Sequence, residues 1–265
     1  MIFLQVFAIF GIGDTMNQLF SHFIESNGIL FKHARGVSDR SGKEFHDFHE
    51  IIYFLDGDAE FISEKLHTRL QQETLLVIPM QTYHQMIIHG DQQHYYRCLL
   101  QFSSEIPFAD ITATPGDGEI NYLMNKLMAA AKAKDPDGPQ IMHAVLTLLL
   151  NALKNKHEIS HQMEPQNSLV RAAVTFINQN IEKKILISDI AAACNVSASS
   201  LSHIFAKEMH ISVHKFIVKK RLINAYHKIA NGQNATLVAL ECGFPDYSGF
   251  YKQYIRVFGC PPSKK

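Results

Sequence analysis

The segment KEFHDFHEIIYFLDG (43–57) places three residues of metal-ligand type at even separations. Glu44, His46 and Glu50 share parity, so an extended strand points all three to one face, whereas His49 points to the other. Carboxylates and imidazoles together form a donor set for a divalent ion. Metal-assisted chemistry is therefore one reading of this stretch, against polar groups that line or close a pocket. The cysteines offer less. Cys98, Cys194, Cys242 and Cys260 are scattered with no C-x-x-C spacing, so buried free thiols in a reducing compartment are expected.

Such side chains need strands to hold them. Residues 29–102 read as strands: HEIIYFLDGDAEFISE places two β-rich runs around Asp56-Gly57-Asp58, a hairpin signal. LQQETLLVIP and HYYRCLLQF are further runs of strand length. Many short strands without intervening helices favour a sandwich or small barrel. From residue 118 the period changes. INYLMNKLMAAAKAK and IMHAVLTLLLNALKNK have helical spacing and are separated by the breaker DPDGP. The second is rich enough in leucine that a subunit interface is expected on one face, with packing on the sheet as the alternative. Residues 157–167 read as a polar linker. The opening MIFLQVFAIFGIGDT has the apolar core of a signal peptide but no Lys or Arg ahead of it, and it is too short to span a bilayer. It is read as an extension, residues 1–15, with Met16 as an alternative start; a cytoplasmic protein without a membrane partner is expected.

At 265 residues the chain is long enough for two domains, and its zero net charge hides an asymmetry. From Ser168 onward there are 13 Lys+Arg against 5 Asp+Glu, while residues 1–167 hold 12 against 20. Only the basic end is suited to a polyanion. That end also contains a repeat. Ala191 aligns with Ala239, Asn195 with Gly243 and Val196 with Phe244. Leu201 then aligns with Phe250, Phe205 with Tyr254, Lys207 with Arg256 and Ser212 with Pro261. Asn and Gly tolerate a left-handed helix end, and Ser197 and Asp246 are good caps for the next helix. A small residue at Ala191 or Ala239 lets two helices cross closely. Each copy is a helix-turn-helix, and the helical pattern at 212–232 between them spans about 30 Å, close to the spacing of successive major grooves.

At these residues the chain resembles the AraC/XylS family of bacterial transcription regulators. LSHIFAKEMHISVHKFIVKKRLINA and ALECGFPDYSGFYKQYIRVFGCPPS follow the family's paired motifs nearly throughout. The resemblance implies an α+β multidomain protein: a cupin-like sensor barrel over 16–117, a helical hairpin for dimerisation over 118–156, and an all-α double helix-turn-helix domain over 168–265. Base-reading positions carry over to Ser199, Ser202 and His203 in the first unit and to Tyr247, Ser248, Tyr251 and Lys252 in the second. Lys207, Lys215, Lys219, Lys220 and Arg221 are phosphate contacts or solvated helix faces. His203 stands where the family often has Arg, which implies weaker binding or another base preference. The family also continues past PPS to an aromatic and an Arg, so a less firmly anchored last helix is expected here.

In the N-terminal part, Glu44, His46, Glu50 and Gly57 occupy the positions of the first cupin motif, and His84 follows Pro79 at the spacing of the second. Glu44 replaces a histidine, and Glu73 and Gln81 replace turn glycines. The expectation is a regulator and not an enzyme, with no catalytic residue, cofactor or resident metal. Its small effector, often a sugar in the family, is assigned to His46, Glu50, His84 and Arg97. Double-stranded DNA, a second copy of the chain and RNA polymerase are the expected partners. The alternatives are a metal-dependent cupin enzyme and a regulator without effector.

Overall fold

The central strands carry near-continuous apolar runs, such as IIYFL and LLVI, which is what a sheet covered on both sides requires. The computed structural model describes residues 20–36, 46, 48–80, 82–103, 112–155 and 167–262. The chain divides into two compact units, at residues 164 and 165. Expectations on Glu44, Gln81, residues 1–15, most of the linker and the last three residues fall outside the described residues.

Among the described residues the N-terminal unit contains nine strands: β1 (Phe20–Ser26), β2 (Ile29–Arg35), β3 (His49–Asp56), β4 (Ala59–Ser63), β5 (His67–Arg69), β6 (Thr74–Ile78), β7 (His84–Ile88), β8 (Tyr96–Phe102) and β9 (Thr112–Pro115). Two helices follow, α1 (Gly118–Ala133) and α2 (Gly138–Asn155). One sheet has the order β1-β2-β8-β3-β6-β9 and the other β5-β4-β7, and the pairings are antiparallel. The expected barrel is thus seen as a large and a small sheet.

Period-two alternation sends neighbouring residues of one strand into two different cores. Ile51, Tyr53, Leu75, Val77, Cys98 and Leu100 join the helical hairpin in one buried cluster. Ile52, Phe54, Leu76, Ile78 and Leu99 join Phe61 of β4 in the other. The large sheet is therefore the middle of three layers.

Two expectations change here. Asp56-Gly57-Asp58 does not close a hairpin: β3 pairs with β6 and β8, and β4 pairs with β5 and β7. The turn carries the chain from one sheet to the other. Gly57 has φ +122, and a Cβ there would lie 2.6 Å from the His94 carbonyl oxygen, so only glycine fits this corner. The leucines of α2 also find their partners within the chain. Met142, Val145, Leu146, Leu149, Leu150 and Leu153 belong to the core shared with the sheet, leaving Leu148 at 50% exposure on the outward side. A helix laid over a sheet buries about 1.5–3 kcal/mol of transfer free energy per such side chain, so this face is consumed by folding.

The C-terminal unit is helical: α3 (Ser168–Asn180), α4 (Ile187–Ala193), α5 (Ala198–Met209), α6 (Val213–Ala230), α7 (Ala235–Glu241) and α8 (Tyr247–Phe258). Local chemistry sets most of the boundaries. Asn167, Ser197, Ser212, Asn234 and Asp246 each accept a backbone N–H at the start of the following helix. α6 is 18 residues long, or about 27 Å.

Candidate nucleic-acid interface and buried polar cluster

The two halves of the repeat fold alike, atom for atom, at their turns. Asn195 has φ +55 and Gly243 φ +81. Val196 N–H donates to Ala191 O at 3.0 Å, and Phe244 N–H donates to Ala239 O at 3.0 Å. Ala191 and Ala239 are both buried, as a close helix crossing demands. Ser197 Oγ accepts from Ser200 N at 3.1 Å and Asp246 Oδ1 from Gly249 N at 2.7 Å. Leu201, Phe205 and Met209 then form the buried stripe of α5, and Phe250, Tyr254 and Phe258 that of α8. Helix α6 joins both: Phe216 meets Phe205 at 5.4 Å and Tyr226 meets Phe258 at 5.0 Å between ring centroids.

Burying one stripe leaves another outside. On α5, Ser199, His203 and Lys207 are exposed and Ser202 half-buried; on α8, Ser248, Tyr251, Lys252 and Arg256 are exposed and Tyr247 half-buried. The repeat pairs them as Ser199/Ser248, Ser202/Tyr251, His203/Lys252 and Lys207/Arg256. These spacings of three and four form one face per helix. Ser202 Oγ donates to Ala198 O at 2.8 Å, so its hydroxyl presents an acceptor outward.

Arg221 departs from its expected role. Its guanidinium donates to Ile181 O at 2.9 Å, to Gly243 O at 2.8 Å and to Lys183 O. It ties the segment after α3 to the turn of the second unit, and burial lowers its pKa. Lys228 likewise pairs with Glu182 at 3.4 Å and Glu241 at 3.1 Å. Lys207 and Lys215 are exposed, while Lys219 and Lys220 are half-buried.

In the N-terminal unit, His46, Glu50 and His84 converge. Their ligand atoms lie within 4.8 Å of one another and all three residues are buried. Glu50 Oε2 is 3.5 Å from His46 Nε2 and 3.6 Å from His84 Nε2. Burial alone would raise the Glu50 pKa, but hydrogen bonding and charge from His46 and His84 hold it well below the usual carboxylate range. Arg97 is not part of this group. On β8 it pairs with Phe54, while Gln101 pairs with Glu50. The Ile52–Leu99 rung separates the two. Arg97 instead donates to Gly36 O at 2.7 Å and lies over the Tyr95 ring at 4.4 Å. His49 faces away, accepting from Met80 N at 3.3 Å.

Sequence reasoning missed Gln101, whose Nε2 donates to Glu50 Oε1 at 2.6 Å. Only the β3–β8 register reveals it. Glu73 does stand at a glycine-like position, with φ +65. Its carboxylate accepts from Asn121 Nδ2 at 2.6 Å, and Asn121 Oδ1 accepts from Tyr53 at 2.8 Å. All four cysteines are free; Cys98 and Cys242 are buried and Cys194 and Cys260 half-buried. Burial pushes the Cys98 thiol up to about 12 and that of Cys242 up to about 11. No helix among the described residues is long and apolar enough to cross a membrane.

Comparison with known proteins places both units. The family description "AraC-like ligand binding domain" matches residues 26–164, and "Helix-turn-helix domain" matches residues 190–265. The probable transcriptional regulator LumQ of Photobacterium leiognathi is 30% identical over 34% of this chain and 36% of its own length. The transcriptional regulator GbdR of Pseudomonas aeruginosa is 30% identical over 39% of this chain and 29% of its own. The match thus spans about a third of each of these relatives. An uncharacterised regulator of Bacillus subtilis, YfiF, is 21% identical over 75% of this chain and 70% of its own. Among solved structures, ToxT from Vibrio cholerae aligns over 90% of this chain and 96% of its own, with 9% identity and a TM-score of 0.40. With an AraC-type ligand-binding domain ahead of a helix-turn-helix domain, the chain belongs to the AraC family.

Proposed function

We propose that this protein is a sequence-specific DNA-binding transcription regulator. Helices α5 and α8 of each subunit enter successive major grooves. The supporting observation is the matched pair of outward faces on two helices with matched buried faces. Ser199, Ser202, His203, Tyr247, Ser248, Tyr251 and Lys252 supply hydroxyl, imidazole and ammonium groups for base edges. Lys207 supplies a phosphate contact. The N-terminal unit senses a small effector, with His46, Glu50 and His84 as its polar focus and Arg97 outside it. The reading has no catalytic step, since the relatives are named regulators. It has the chain act as a homodimer in the cytoplasm, with RNA polymerase as a further partner. The dimer contact falls on the outward side of the helical hairpin, where Tyr122 and Leu148 remain exposed.

Selection from a random duplex library tests this reading. Wild type should enrich a motif with two half-elements about one helical turn apart, with affinity falling steeply as salt rises. His203→Ala should relax one half-element and Lys252→Ala the other. Enrichment of no motif, or identical motifs for all three proteins, refutes the assignment.

A further inference from the structure

One outward stripe of the repeat changes character between its two copies. In α5 the residues Ala198, Ser202 and Ala206 follow one another at helical spacing and share a face. At the offset that joins Leu201 to Phe250, the same stripe in α8 is Tyr247, Tyr251 and Ile255. Ala198 and Ala206 are exposed and Ser202 and Tyr247 half-buried, while Tyr251 and Ile255 remain 38% and 37% exposed. The rings of α8 are anchored: Tyr251 packs on Tyr247 at 6.0 Å between centroids, and Tyr247 on buried Phe250 at 5.8 Å. Beside this row run Ser248, Lys252 and Arg256, all exposed. An apolar row bordered by cations suits a major groove, which has phosphates along its rim and thymine methyl groups on its floor. The stripe of α5 has the opposite chemistry. A serine hydroxyl has one proton, and Ser202 gives it to Ala198 O at 2.8 Å. Only lone pairs then point outward. In the major groove the amino groups of adenine and cytosine are the donors, whereas guanine and thymine present acceptors. Alanine on either side of Ser202 leaves no bulk to hold α5 away from the groove floor.

We infer that the two reading helices recognise different atoms. Ser202 accepts a hydrogen bond from the amino group of an adenine or cytosine, and Tyr251, backed by Tyr247, packs on the 5-methyl group of a thymine. This rests on the DNA-binding reading proposed above and adds the base that each helix requires. The two half-elements of one subunit's site are therefore distinguished by single groups, an exocyclic amine in one and a methyl in the other.

The test uses the full chain and its selected duplex, with base analogues that each remove one group. Uracil in place of thymine deletes the methyl and keeps every hydrogen-bonding group. At one thymine of the half-element that Lys252→Ala relaxes, it should weaken wild-type binding about fourfold, the weight of one carbon removed from water. Tyr251→Phe should keep that sensitivity, and Tyr251→Ser should lose it. Purine in place of adenine, or 2-pyrimidinone in place of cytosine, deletes the amino group. At one position of the half-element that His203→Ala relaxes, it should weaken wild type about 2- to 13-fold, the worth of one hydrogen bond. Ser202→Ala should bind the natural and the analogue duplex equally. Because the analogues change only the DNA, each comparison is made within one folded protein. Uracil tolerated at every thymine, uracil sensitivity lost in Tyr251→Phe, or an amino-group requirement that survives Ser202→Ala overturns the inference while DNA binding stands. A selection that enriches no motif overturns DNA binding itself, and the inference with it.

Discussion

Replacing Gly243 with alanine tests whether Arg221 is a structural tie. Gly243 has φ +81, and a Cβ built there lies 2.8 Å from Arg221 Cζ and 2.9 Å from Nη2. An alanine in the left-handed region costs about 1–2 kcal/mol. The guanidinium cannot swing aside freely, because it donates to the carbonyls of Ile181, Lys183 and Gly243. A charged hydrogen bond contributes about 1.5–3 kcal/mol, but Arg221 is half-buried and water replaces part of that, so about 1 kcal/mol is assigned to its displacement. The sum, about 2–3 kcal/mol, lowers the melting temperature of a domain near 100 residues by roughly 10–20 °C. Calorimetry on the full protein should resolve this as a shift of one transition. Arg221→Ala should move the same transition, and the double variant should fall short of the sum, since both changes break one contact. An unmoved transition in Gly243→Ala refutes the tie. So does an Arg221→Ala protein that melts like wild type yet loses DNA affinity, because that behaviour belongs to a phosphate contact.

Ala191→Leu overfills the crossing of α4 and α5, where Ala191 is 2% exposed, and should destabilise the C-terminal unit by about 1–3 kcal/mol in a urea titration; an unchanged midpoint contradicts the close approach. His33 has its pKa held below the ordinary value by burial first, then by His22 and Lys132. The unfolded chain therefore takes up this proton more readily, and stability falls as pH drops through about 6.5. His33→Gln should flatten the urea midpoint between pH 7 and pH 5, and an unaltered slope rejects the assignment. Leu148→Glu should convert the proposed dimer to a monomer in sedimentation equilibrium without lowering the melting temperature, since Leu148 is 50% exposed; a variant that sediments like wild type refutes the proposed contact.

The helical end was legible because its signals are local. Asn195 and Gly243 end helices through their own backbone freedom, and Ser197 and Asp246 begin them through their own oxygens. Two copies of the same local chemistry identify the supersecondary unit without any distant contact. Arg221 was misjudged for the complementary reason. A cation on an amphipathic helix looks solvated until the carbonyls of residues 181, 183 and 243 are brought around it, and those lie 22 to 40 positions away.

The sheets were legible as strands but not as a topology. Asp56-Gly57-Asp58 has the composition of a hairpin because a tight corner between two sheets needs the same positive φ. What distinguishes them is the pairing of the next strand, which depends on residues 67–69 and 84–88. The polar cluster shows how much rides on that pairing. Parity placed His46 and Glu50 on one face, but whether they meet a charge or a hydrocarbon depends on register. In the observed β3–β8 register Glu50 lies opposite Gln101. A slip of one residue along β8 would set Leu100 or Phe102 against the carboxylate and leave its second oxygen without the amide. The cost of burying an unanswered carboxylate is several kcal/mol, so the Glu50–Gln101 rung helps select the register of the two central strands. Gln101→Leu should accordingly loosen exchange protection along β3 and β8, and protection equal to wild type in both strands would refute this role for the rung.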